Sequence, residues 1–170
     1  KLNSILLPTD FSASSDAALG YASALAAETG ATLYIIHVAD ESAAYLAGYG
    51  GFSVVPDLPT AIEREMRKKL EEVEPSRPGV HVVRHYLAGN AVSEIVAFAD
   101  REKIDLIVIG THGRTGVSRV LMGSVAEGVL RKAACPVLTV KSPIKERVDQ
   151  KEEGSGRRGH SPSPTKFSLH

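Results

Sequence analysis

The sequence predicts a doubly wound α/β domain over residues 1–141, a five-stranded parallel sheet with helices on both faces. Three observations carry the prediction. Five strand-sized runs rich in branched aliphatic residues alternate with four segments of helical spacing. Several runs are apolar at consecutive positions, as in Ile5-Leu6-Leu7 and Leu106-Ile107-Val108-Ile109, which suits strands buried on both faces. Strand–helix alternation implies right-handed crossovers, and so parallel pairing. Short apolar runs can also be buried helix, which leaves a helix-rich α+β domain as the competing fold.

Taken in order, the first strand is expected at 4–7. The Ala-rich segment 14–29 follows as a helix, its small residues suiting close packing on a sheet, with Gly30 as a left-handed cap. A second strand is expected at 32–38. The helix expected at 60–74 carries Ile62, Met66, Leu70 and Val73 on one stripe. Strand 80–86 leads to helix 91–102, with Val92, Ile95, Val96 and Ala99 on one face. Strand 105–109 is the most apolar. Gly123-Ser124 opens the helix expected at 124–133, which turns Val125 and Val129 inward, and strand 137–140 closes the domain.

Two segments stand outside this pattern. Residues 39–59 hold Gly48, Gly50 and Gly51 with Tyr45, Tyr49 and Phe52, and a connection that long inside a compact domain reads as a functional flap or insert. Residues 142–170 form a charged tail rich in Ser, Pro and Gly, expected to be flexible because it has too little apolar surface to fold alone.

Composition narrows the function. Twenty basic side chains balance twenty acidic ones, which argues against a generally basic nucleic-acid binder. The tail holds six basic and four acidic side chains, leaving residues 1–141 at −2. Any anion must therefore be held locally. A single cysteine, Cys135, excludes an intrachain disulfide and a multi-cysteine metal site. No apolar run reaches the roughly 20 residues of a membrane span. The opening KLNSILLPTD lacks the order of a signal peptide. A cytoplasmic protein is expected.

The most informative stretch is Gly110-Thr111-His112-Gly113-Arg114-Thr115-Gly116, followed after Met122 by Gly123-Ser124. It begins at the carboxyl end of the fourth strand, where open α/β sheets bind ligands. Its glycines permit tight turns and close backbone approach to a ligand. The helix start at Gly123-Ser124 offers backbone N–H groups and a positive dipole end to phosphate, and Arg114 and Arg119 can add charge-assisted bonds. Neither GxxxxGK[ST] nor GxGxxG occurs, so the P-loop lysine mechanism does not apply.

The spacing Gly110-x2-Gly113-x9-Gly123-Ser124 resembles the ATP-binding signature of the universal stress protein family. Ile5-Leu6-Leu7-Pro8-Thr9-Asp10, Asp105 to Gly113 and Cys135-Pro136-Val137-Leu138 agree with it, so the resemblance covers residues 1–141. It implies an adenine nucleotide alpha hydrolase-like sheet in the order 3-2-1-4-5, with ATP between strands one and four. By position, Pro8, Thr9 and Asp10 border the nucleoside, and the Val38 backbone reads adenine. Gly110, Thr111, His112, Gly113 and Arg114 line the ribose and phosphate region. Gly123, Ser124 and Val125 hold phosphates, and Mg2+ arrives with the nucleotide. The resemblance also implies a homodimer through edge strand 137–140, with the tail as an alternative cover for that edge. The function expected is an ATP-sensing regulatory module in stress response, acting on a protein partner that the residues do not name. Alternatives are a slow ATP hydrolase and a dimeric interaction module without nucleotide. The first is weakened by Pro8-Thr9-Asp10-Phe11-Ser12, which stands where related hydrolases carry Ser-Gly-Gly.

Other residues have plainer readings. Asp10 also suits a helix cap or turn ahead of Ser12. His112 has no identifiable partner as a general base. His81 and His85 share a strand face but lie about 13 Å apart, too far to chelate one ion. His37 reads as a strand residue with a satisfied hydrogen bond. Cys135 sits near Lys132, which could activate it, but reads as a partly buried turn residue. No catalytic or metal-ligating residue is expected.

Overall fold

The structure, a computed structural model, describes residues 1–40, 58–111 and 122–141. Of the expected flap at 39–59, residue 39 ends the second strand, residues 58 and 59 open the second helix, and 41–57 lie outside the described residues, as do the loop with His112, Gly113, Arg114 and Arg119 (112–121) and the tail (142–170).

The elements follow the predicted alternation: β1 (Ser4–Pro8), α1 (Ala13–Thr29), β2 (Thr32–Ala39), α2 (Leu58–Glu71), β3 (Val82–Ala88), α3 (Ala91–Arg101), β4 (Leu106–Gly110), α4 (Ser124–Lys132) and β5 (Val137–Val140). All pairings are parallel, in the order β3-β2-β1-β4-β5. β1 is central, with Ile5 opposite Leu33 on one side and Leu106 on the other. The α+β alternative is thereby excluded.

Period-two alternation splits each strand between two cores. On one face Ile5, Leu7, Leu33, Ile35 and Val108 pack with Ala18, Ala22 and Ala26 of α1 and Leu70 of α2. The three alanines recur every fourth residue and are at most 1% exposed, so α1 lies close against the sheet. On the other face Leu6, Ile36, Ile107 and Ile109 pack with Ile95 and Phe98 of α3 and Val129 of α4. The helices of this second layer approach tightly: a Cβ on Gly128 of α4 would stand 2.7 Å from a Val92 methyl of α3.

Element ends differ from expectation for identifiable reasons. α1 starts at Ala13 because the Ser12 side chain accepts from the Ser15 N–H, and it stops at Gly30, whose φ is 72°. α2 ends three residues before the expected 74, its last turn tightening as Val73 N–H donates to the Leu70 carbonyl at 3.2 Å. The freed Val73 carbonyl accepts from the Arg84 guanidinium at 2.7 Å. β3 starts two residues later than expected, its ladder with β2 beginning at the His81 carbonyl, which accepts from Leu33 N–H. α3 closes on a 6→1 bond from Ile104 N–H to the Ala99 carbonyl, with Lys103 at φ 54°.

Candidate functional site

The β1–β4 ladder registers Ile5 with Leu106 and Leu6 with Ile107, and goes no further. Thr9 N–H donates to the Ile36 carbonyl of β2 at 2.8 Å, so by alternation the N–H one residue earlier would face β4. That residue is Pro8, which has no N–H to give. The two strands part at their carboxyl ends, and a cleft of about 200 Å3 opens there.

The turn after β1 forms one wall and is tied internally. Thr9 Oγ1 donates to Ser15 Oγ at 3.1 Å and accepts from Phe11 N–H at 3.1 Å. Ser15 Oγ donates to the Ser12 carbonyl at 2.8 Å. The Asp10 carboxylate accepts from Ser12 N–H at 3.1 Å, so Asp10 takes the turn role and Ser12 caps the helix. Phe11 holds φ 62°, a conformation uncommon for a bulky residue, with its ring 4.6 Å from that of His37.

The opposite wall is the start of α4. Thr111 is buried; its N–H donates to the Val140 carbonyl at 2.9 Å and its carbonyl accepts from Gly123 N–H at 2.6 Å. The chain that leaves at Thr111 therefore returns to the same point at Gly123. Gly123 caps α4 without any side-chain bond, and the first turn closes from Glu127 N–H to the Gly123 carbonyl at 3.0 Å. The N–H groups of Ser124, Val125 and Ala126 thus lie at the dipole's positive end, beside the cleft. Ala91, the first residue of α3, and Ser15 of α1 also line it, so three helices begin at this point.

Nine residues expected from the sequence line this one cleft: Pro8, Thr9, Asp10, Val38, Gly110, Thr111, Gly123, Ser124 and Val125. His112, Gly113 and Arg114 lie outside the described residues. Six lining residues went unpredicted: Ser15, Ile36, Ala91, Ile95, Ile109 and Ala126. Ile36, Ile109 and Ala126 neighbour predicted positions and could have been found from strand alternation and the helix start. Nothing local announces Ala91 and Ile95, which reach the cleft only because β3 stands two strands from β1. The glycine at 110 has a cause beyond ligand approach, since its Cβ would stand 2.6 Å from both the Ser14 carbonyl and hydroxyl oxygens.

His37 is buried and bonds the Thr9 carbonyl through Nδ1 at 2.8 Å, as its plain reading required. His85 packs its ring 5.0 Å from Phe98, and His81 is exposed. Among the described residues no three His, Cys, Asp or Glu side chains gather as a metal site. Burial, with Asp100 and Asp105 adding to it, pushes the Cys135 thiol up, opposite to activation by Lys132. Among the described residues no helix is long and apolar enough to cross a membrane. β5 forms one edge of the sheet, with Leu138 37% exposed.

Comparison with known proteins agrees with this geometry. The family model described as the universal stress protein family matches residues 1–141. Universal stress protein MJ0531 of Methanocaldococcus jannaschii is 41% identical over 143 residues, 84% of each chain. The solved structure of protein MJ0577, from the same organism, superposes with a TM-score of 0.73 at 30% identity, covering 84% of this chain and 97% of that one. A universal stress protein solved in complex with cAMP superposes with a TM-score of 0.55 at 26% identity, covering 84% of this chain and 98% of that one.

Proposed function

The chain belongs to the universal stress protein family, and from that premise we propose that it is an ATP-binding regulatory module of the stress response rather than a dedicated enzyme. The observation that carries this reading is the pairing of two unlike walls in one cleft. Ile36, Val38, Ile95 and Ile109 offer an apolar slot of the kind a purine base occupies, and the start of α4 offers backbone N–H groups to phosphates. The relative solved with cAMP supports an adenine nucleotide as the ligand class.

In this reading Pro8 and Val38 flank the base, and Asp10 accepts a ribose hydroxyl. Gly110 and Thr111 shape the passage to the phosphates, which rest on Gly123, Ser124 and Val125. His112, Gly113 and Arg114 follow in sequence from that passage. Mg2+ enters on the nucleotide, because Asp10 is the one carboxylate among the described residues lining the cleft. The ion would screen phosphate charge from Asp10. A cytoplasmic homodimer forms through β5, joining the apolar edge at Leu138 to a second copy. Binding would alter a surface that a protein partner reads.

Titration calorimetry with ATP, ADP, AMP and GTP in the presence of Mg2+ tests the ligand. Binding of ATP in preference to GTP, lost in Gly113→Val with circular dichroism unchanged, is the expected result. No adenine-nucleotide binding by the parent chain leaves a dimeric interaction module. A phosphate-release assay on the same samples separates sensor from slow hydrolase. Sedimentation tests the dimer, with Leu138→Glu expected to shift it to monomer.

A further inference from the structure

The His37 side chain projects from β2 on the face opposite the cleft, in register with Tyr86 of β3, while its neighbour Val38 lines the cleft. Its Nδ1 lies 2.8 Å from the Thr9 carbonyl oxygen. A carbonyl only accepts, so Nδ1 carries the proton. The ring is wedged between Phe11, 4.6 Å away, and Tyr86, 5.9 Å away, and the Arg67 guanidinium covers Tyr86 from outside at 4.4 Å. Thr9 and Asp10 border the cleft, and Phe11 beside them is held at φ 62°. Such a backbone persists only where its surroundings over-determine it.

Resting on the nucleotide reading above, we infer that His37 is a positioning residue for the cleft. Its Nδ1–H fixes the Thr9 carbonyl from behind, and its ring seats Phe11, so the 9–12 turn presents Thr9 and Asp10 to the ligand in one geometry. Without the donor, the turn samples other arrangements, and nucleotide binding must first select the competent one.

Two full-length variants separate donor from ring. His37→Asn keeps a side-chain N–H near the Nδ1 position; His37→Phe keeps a ring between Phe11 and Tyr86 but has no donor. The readouts are the Kd for ATP with Mg2+ by calorimetry, and amide hydrogen exchange at Phe11 and Ser12 without nucleotide. One lost hydrogen bond of ordinary strength predicts about tenfold weaker ATP binding in His37→Phe. Exchange at Phe11 and Ser12 should quicken in His37→Phe while Ile5 to Leu7 stay protected. His37→Asn should bind within about threefold of the parent. Unchanged affinity in His37→Phe, or equal losses in both variants, overturns the inference and leaves nucleotide binding standing. Absence of ATP binding by the parent overturns both.

Discussion

Gly110 closes β4 directly against the first turn of α1, where a Cβ would stand 2.6 Å from the Ser14 carbonyl oxygen. Ser14 belongs to a helix capped by Ser12 and pinned to the sheet by Ala18 and Ala22, so the backbone has no room to yield. Gly110→Ala should cost about 1–3 kcal/mol, the usual range for overpacking a close contact. Urea unfolding checks this: the midpoint should fall with the slope unchanged. ATP binding should weaken as well, because relief requires β4 or α1 to move at the cleft.

Lys103 shows the opposite situation. It terminates α3 at φ 54° with the 6→1 bond from Ile104 to Ala99 in place, a position glycine fills without steric penalty. Lys103→Gly should raise stability by about 0.5–1 kcal/mol, the left-handed strain relieved exceeding the added chain entropy. A urea midpoint at or below the parent's would contradict it.

Ser124 begins α4 with no side chain capping the helix. Ser124→Asp places a negative charge at the positive end of the dipole, which favours the helix by about 0.3–1 kcal/mol. The same charge faces the phosphates in the proposed complex. The variant should therefore be no less stable than the parent in thermal melts while binding ATP at least about tenfold more weakly. Affinity and stability moving together would argue against phosphates at this helix start.

At the opposite end of the sheet, the Asp105 carboxylate accepts from Asn3 N–H at 2.7 Å and Ser4 N–H at 3.0 Å. These backbone bonds hold its pKa below the ordinary 3.8. A folded pKa lower than the unfolded one means stability that is complete above the unfolded value and lost as pH falls through the folded one. Asp105→Asn should lower stability at neutral pH, and the gap from the parent should start to narrow below about pH 3.8 and go on shrinking as pH falls toward the lower folded pKa. Urea midpoints measured from pH 7 to pH 2.5 read this; a gap constant with pH would show that charge is not involved.

Residues 1–141 revealed their architecture through short-range signals. Consecutive apolar positions marked buried strands, alanine richness marked α1, Gly30 marked a helix end where a left-handed φ decides the residue type, and Gly123-Ser124 marked a helix start. The glycine spacing after β4 pointed to the Gly110 and Gly123 side of the cleft, the family resemblance to Pro8, Thr9, Asp10 and Val38, and nine of the expected residues line it together. Strand order was legible only through family resemblance, because alternation alone does not say which strands are neighbours. The tertiary structure brought Ala91 and Ile95 from α3 to the cleft, and it placed Ser14 against Gly110. It also joined His37 to the Thr9 carbonyl across 28 positions of chain. The physical reason is common to these. Periodicity and capping depend on neighbours within a turn or two of chain, whereas close approach between distant segments exists only after the sheet has been assembled.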